Sequence, residues 1–315
     1  MSAARTSRRA FLKSAAAAVS ALLWGAARPQ FSLANLTVLG CPPPEATQIA
    51  ARAGYDFVSY RIISMGLADE PNYDLARNGA MRRETKGALR STGLQLHDIE
   101  LARIADNVDV KTYAPALQTA AELGARRVIA SVWTARRNFA IDSLAELCEL
   151  AAKARLSVSL EFVTWAEVAS LQQALDVRRA VNHSNLGLLI DVLHFHRSRV
   201  RLEELDTIPR QWFHFAHVCD APREIPSTVD ELIRTGREAR LYPGEGQIDI
   251  ARIVGRLPAI PYSLEIPNLA RVRELGYAEH ARRCLESARA YFSAHSRPTD
   301  RAGSGTSPIA TQDPL

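Results

Sequence analysis

The stretch LGLLIDVLHFH, residues 186–196, is an apolar run that gives way abruptly to Asp191, His194 and His196. Four to eight apolar residues closed by polar ones suit a strand buried on both faces, as in a parallel sheet. A carboxylate then sits where the strand ends, which is where an α/β barrel keeps its chemistry. The same letters also fit an aspartate capping a helix with two surface histidines behind it. The stretch alone does not choose between them.

The flanking sequence repeats the pattern. Strands are predicted at 36–40, 57–63, 94–104, 126–133, 156–163, 186–191, 212–220 and 261–267. Helices are predicted at 44–53, 81–91, 113–123, 143–154, 167–181 and 277–292, and residues 221–241 read as a long polar excursion. Eight strand signals alternating with helical ones imply a single (β/α)8 TIM barrel over 35–296, with no domain boundary inside it. A doubly wound sheet is the alternative, but no G-x-G-x-x-G follows the first strand.

The N-terminus reads as an address. SRRAFLK at 7–13 precedes a weakly apolar run at 14–27 and the small residues Ser32 and Ala34. Paired Arg8 and Arg9 make this a twin-arginine export signal, expected to be cut after Ala34. The run is too short for a membrane span of about 20 residues, so no membrane anchor is expected. The twin-arginine machinery is then a partner and the periplasm the destination. The chain has 39 basic and 34 acidic residues, and residues 1–34 hold five of the basic ones and no acid, leaving 34 against 34. The basic pI of about 9.2 is therefore mostly leader, and no basic stripe argues for nucleic acid. Cys41, Cys148, Cys219 and Cys284 form no C-x-x-C pair, which leaves a disulfide open. Residues 297–315, rich in Pro, Gly, Ser and Thr, are read as a disordered tail. Homo-oligomerisation stays open.

Four consecutive strand candidates each finish with a metal-ligand type: Glu161 in SLEF, Asp191 in LLID, His217 in FAHV and Glu265 in SLEI. The ends of strands five to eight are neighbours on one face of a closed barrel, so these side chains can converge. Buried acids are rare unless paired or metal-bound; four separate salt bridges are the plainer alternative. Three carboxylates and one imidazole suit one divalent ion, Mn²⁺ or Mg²⁺ first, with Co²⁺ or Zn²⁺ also compatible.

That order of ligands, with D-x-x-H at 191–194 and P-G-E-G-x-I-D at 243–249, resembles the xylose-isomerase-like TIM barrels, the sugar phosphate isomerase and epimerase superfamily. The resemblance covers residues 36–292. It implies that Glu161, Asp191, His217 and Glu265 are the metal ligands and that Glu161 and Glu265 also move a proton. It further implies that His194 binds a substrate oxygen and that Arg240 anchors the sugar, with Arg223 a competitor because the insertion before Pro243 is long. The superfamily spans isomerases, epimerases, dehydratases and a nuclease, so the fold does not fix the reaction.

The chemistry of the residues agrees. A proton taken from beside a carbonyl leaves an enediolate, whose charge a divalent cation stabilises. A carboxylate on each side of the carbon can act as base and acid, Glu161 on one face and Glu265 on the other. Arg61 and Glu100 are expected at the same rim, binding substrate or each other. His97 is expected on the opposite face as a packed histidine, and His196 as a helix-start residue. Glu245 could close over substrate, and Trp133 and Trp165 could stack on a sugar. The leading expectation is a sugar or polyol isomerase or epimerase acting on an unphosphorylated, ketose-like substrate. A metal-dependent lyase acting on an inosose or a cyclic keto-acid is the alternative, ahead of a non-catalytic binding barrel or a nuclease.

Overall fold

Eight parallel strands close on themselves in sequence order in the computed structural model, which describes residues 28–66 and 70–295. They are β1 (Phe31–Leu33), β2 (Phe57–Arg61), β3 (Gln95–Ile104), β4 (Arg127–Val132), β5 (Ser157–Glu161), β6 (Leu186–Asp191), β7 (Phe213–Val218) and β8 (Tyr262–Leu264). Outside them run α1 (Pro43–Ala53), α2 (Gly79–Thr92), α3 (Ala114–Glu122), α4 (Arg137–Lys153), α5 (Leu171–Val181), α6 (Val192–Arg197), α7 (Leu202–Asp206), α8 (Val229–Glu238), α9 (Ile250–Val254) and α10 (Leu269–Ala294). The expected TIM barrel is the observed fold. Helix α1 shows how local sequence sets the ends: prolines open it, and Gly54, at φ 90°, closes it in a left-handed conformation that favours glycine. Among the described residues no helix is long and apolar enough to cross a membrane.

The first strand is not where the sequence places it. Residues Asn35–Val38 form a 3₁₀ turn, while Phe31–Leu33 pairs with β2 on one side and β8 on the other. Thr37 explains the turn. Its hydroxyl donates to the Leu264 carbonyl at 2.7 Å and accepts from the Ile266 amide at 2.8 Å, so this segment crosses the end of β8 rather than running beside it. A cut after Ala34 would therefore remove β1 and leave β2 and β8 with unpaired edges. Protein beginning at Arg28 is expected to melt cooperatively by circular dichroism, whereas protein beginning at Asn35 is expected to aggregate or melt without a transition. The rest of the expected leader, and the expected tail, lie outside the described residues.

Inside the barrel the two-residue alternation of side chains breaks three times, one of them between Ile99 and Ala102 of β3 against β4. Register shifts between β2 and β3, where Val58 faces Leu96 but Tyr60 faces Ile99, and the extra residue turns both His97 and Asp98 inward. The His97 ring packs 4.7 Å from Phe215 and 5.3 Å from Phe57, with Nδ1 2.7 Å from Asp98. His97 is thus a packed histidine, as expected, but on the inner face rather than the opposite one. A second shift, where Leu188 faces Phe213 but Leu189 faces Phe215, brings in His214, whose Nδ1 lies 2.8 Å from the Ser159 hydroxyl. Gly187 makes room for that ring; a Cβ there would fall inside it. Leu101, Ile129, Leu189 and Phe215 form a buried apolar plug above this polar floor. The four cysteines are all buried and free, so the disulfide left open does not form.

Candidate active site

Above the plug, one ligand atom from each of Glu161, Asp191, His217 and Glu265 lies within 4.8 Å of the others. Metal–ligand bonds of about 2.0–2.4 Å put opposite ligands about 4–5 Å apart. The donor set therefore fits a single divalent ion, and all four residues are buried. His217 Nδ1 stands at the centre, 3.2 Å from Glu161 Oε1, 3.3 Å from Glu265 Oε2 and 3.8 Å from Asp191 Oδ2.

Asp191 satisfies both readings of residues 186–196. Its Oδ1 caps α6, accepting from the amides of Leu193 at 2.6 Å and His194 at 3.2 Å. Its Oδ2 faces the cluster. The cap fixes the carboxylate rotamer, and the strand delivers it to the barrel mouth.

Arg240, expected to anchor the sugar, lines the cavity and is tied to the donor cluster. Its guanidinium donates to Asp191 Oδ2 at 2.7 Å, to Glu265 Oε2 at 2.9 Å and to the Gly236 carbonyl at 2.7 Å, and only 2 % of its surface is exposed. Most of its donors are thus engaged by protein, and its charge faces two carboxylates of the cluster. Arg223, the competing candidate, is exposed and is not among the residues that line the cavity. The P-G-E-G-x-I-D turn serves to place Arg240. Asp220 accepts from the amides of Gly244 at 2.9 Å and Ile248 at 3.0 Å, and Leu241 bridges back to Asp220. A Cβ on Gly246 would collide with Asp220 and the Ala221 backbone. Glu245 pairs with Arg271 at 2.8 Å away from the cavity, so it does not close over it.

The cavity holds about 660 Å³ up to its mouth and is lined by His194, Arg61, Glu100, Trp133, Trp165 and Arg237 together with all of the cluster except Asp191. His194 Nδ1 accepts from the Thr164 amide at 3.4 Å and lies 2.9 Å from its hydroxyl, which leaves the proton on Nε2. Burial, only partly opposed by Asp191, lowers His194 to about 4, so the ring is neutral at physiological pH. Arg61 bridges Glu100 at 2.7 Å and Glu70 at 3.0 Å, so the rim ion pair is real. His196 is half-buried outside the cavity. Trp165 and Arg237 are held by α8, which the sequence had presented only as polar excursion. Its signal is the Thr228 cap followed by Val229, Leu232 and Ile233 at helical spacing, and the Trp165 ring sits against the bare Cα of Gly236.

Charge in the cluster is balanced by protons. Burial pushes Glu161 up to about 7, with His217 opposing and Glu265 and Asp191 adding to the rise. Burial works against a charged His217, yet Glu265, Asp191 and Glu161 hold it well above its usual range. Burial is likewise overcome at Asp191, which Arg240 holds well below the carboxylate range. An incoming dication must displace the protons on Glu161 and His217. Metal binding is expected to release about one to two protons at neutral pH and to weaken as pH falls below about 7. Calorimetric titration in buffers of different ionisation enthalpy counts them.

Comparison with known proteins places the site in context. A family model described as xylose isomerase-like TIM barrel matches residues 47–288. An inosose isomerase of Bacillus subtilis (strain 168) is 27% identical over 152 residues, 47% of this chain and 52% of that protein. A 3-dehydroshikimate dehydratase of Pseudomonas aeruginosa is 29% identical over 132 residues, 40% of this chain and 20% of that protein. The matches thus span about half of the isomerase and a fifth of the dehydratase. Among solved structures, the IolI protein with a bound zinc atom aligns at TM-score 0.71 and 19% identity, covering 84% of this chain and 99% of that one. A D-allulose 3-epimerase from Methylomonas in complex with D-allulose aligns at 0.62 and 17%, covering 84% and 97%. At these identities the structures speak for the fold alone.

Proposed function

The chain belongs to the xylose isomerase-like TIM barrel family, and we propose that it is a divalent-metal-dependent isomerase or epimerase that moves a proton next to the carbonyl of a small polyhydroxylated ketone. The observation that carries this reading is the pairing of Glu161 and Glu265 across one buried donor cluster at the bottom of a cavity. Glu161, Asp191, His217 and Glu265 would hold the ion, with Mn²⁺ or Mg²⁺ favoured by the three carboxylates. When bound, it stabilises the negative charge that appears on the substrate oxygens as the proton leaves.

The chain's own residues do the rest. Glu161, a carboxylate at the cavity beside the donor cluster, takes a proton from one face of the carbon and gives it back. Glu265 serves the opposite face of the same carbon. His194, neutral and with its proton on Nε2, donates to a substrate oxygen. Trp165, 4.9 Å from the His194 ring and edge-on to it, holds that ring and excludes water from the reacting carbon. Arg61 and Glu100 offer polar contacts to substrate hydroxyls.

A second reading, a carbon–oxygen lyase, is favoured by the likeness to the Pseudomonas dehydratase, because loss of a β-hydroxyl begins with the same proton abstraction. Keto-sugars, inososes and cyclic keto-acids incubated with metal-loaded protein in D₂O separate the two. Exchange and a rearranged ketone without water loss support isomerisation, and a conjugated enone absorbance supports elimination. Absence of exchange with every ketone at full metal occupancy would discard both. Periplasmic export by the twin-arginine pathway belongs to the same proposal, with the cut moved ahead of Arg28 so that β1 survives. Export of folded protein would carry the ion out already bound, and divalent metal in protein recovered from the periplasm is the check.

A further inference from the structure

One cation facing the cavity has no work among the described residues. Arg237 lines the cavity from the last turn of α8, yet it makes no hydrogen bond or ion pair with any described residue. Among the described residues it lies over an aromatic face, the Trp165 ring, whose centroid is 5.9 Å from the guanidinium carbon. The other cavity arginines are occupied: Arg240 by Asp191 and Glu265, and Arg61 by Glu70 and Glu100. Nearby Arg103 lies over the Trp133 ring and donates to the Met65 carbonyl, and it also has no carboxylate among the described residues.

Position is as telling as charge. Gly236 packs on Trp165 without room for a Cβ, and its carbonyl accepts from Arg240 Nε at 2.7 Å. Arg237 is therefore fixed, through its neighbour, to the same arginine that holds Asp191 and Glu265. Leaving a half-buried guanidinium unpaired is costly. Burial, and after it Arg61 and Arg103, lower its hold on its proton, which Glu70 and Glu238 only partly offset. Such a cost is retained where a ligand supplies the missing charge.

We propose that Arg237 seats a carboxylate of the substrate, making the substrate class a polyhydroxylated keto acid rather than a neutral ketose or cyclitol. This rests on the ketone chemistry proposed above and adds the charge of its substrate. A carboxylate matches the planar fork of one guanidinium through two parallel hydrogen bonds. A neutral hydroxyl would leave the charge uncompensated.

The test uses metal-loaded protein and three ketones in calorimetric binding: 3-dehydroshikimate, which carries a carboxylate, an inosose, which is a neutral ring, and fructose 6-phosphate. Wild type is expected to bind the carboxylate at least tenfold more tightly than the inosose. Arg237→Gln is expected to cut that preference at least tenfold, Arg237→Lys to keep part of it, and the melting temperature of Arg237→Gln to stay level or rise. Equal binding of inosose and carboxylate, or a preference that survives Arg237→Gln, overturns the inference while leaving the ketone reading intact. So does tightest binding of the phosphate. A melting temperature several degrees lower in Arg237→Gln overturns it too, by revealing a protein partner. Wild type that binds none of the three ketones refutes the ketone reading, and the inference with it.

Discussion

Glu161→Gln is expected to slow proton exchange beside the substrate carbonyl by about 10²–10⁴-fold while the barrel stays folded. Glu161 ends β5, deep in the barrel mouth, where burial pushes its carboxyl up to about 7. That holds before an ion binds; with the ion in place the carboxylate is free of its proton and can accept one from the substrate carbon. The amide keeps the side chain's shape but cannot accept the proton. It also weakens one metal ligand, so the comparison belongs at saturating metal with ion content measured in the same samples. Glu265→Gln is expected to lose exchange to a similar extent but on the opposite face of the carbon. NMR in D₂O, resolving the two product configurations, reads both faces at once. Wild-type exchange on both faces in either variant, at full metal occupancy, would end the proton-transfer assignment.

The fold and the four clustered residues were legible for one physical reason. A parallel strand buried on both faces leaves an apolar run in the sequence, and the polar residue ending it is conspicuous in SLEF, LLID, FAHV and SLEI. Features that obey no period were not legible. Phe31–Leu33 has three residues and sits in a stretch that also reads as the end of a leader, while the more apolar 36–40 is pinned as a turn by Thr37. His97 and His214 point inward because extra residues are inserted in β3 and β7, which a two-residue count cannot see. Helix α8 does carry a signal, with Thr228 as cap and Val229, Leu232, Ile233 and Gly236 at helical spacing, but its charged letters make the stretch read as a polar excursion, and the helix that carries Arg237 over the cavity goes unread. The motif places Arg240 near the site, but its ties to the cluster are not legible in the spacing. The spacing of a motif says that a guanidinium is near, not that its donors are already taken by Asp191, Glu265 and Gly236.

Removing that guanidinium is expected to have the largest effect on stability of any single change in the site. In metal-free protein Asp191 and Glu265 are almost wholly buried, and Arg240 is the permanent positive charge against them. Arg240→Met keeps much of the volume and deletes the charge, leaving two buried carboxylates to His217 alone. Breaking a buried ion pair on one side costs about 3–5 kcal/mol, and urea unfolding of the chelated protein is expected to show a loss of that size. Divalent metal should narrow the gap, because the ion supplies positive charge to the same two carboxylates. Through linkage, metal at about 100 times its Kd adds about 2.7 kcal/mol to the state that binds it. Narrowing then means that the variant binds metal more tightly than wild type. Arg240 and the ion would in that case be alternative counter-charges for one set of carboxylates. A gap of equal size with and without metal would separate them, and would make Arg240 a brace for the ligand geometry instead of a partner in its charge balance.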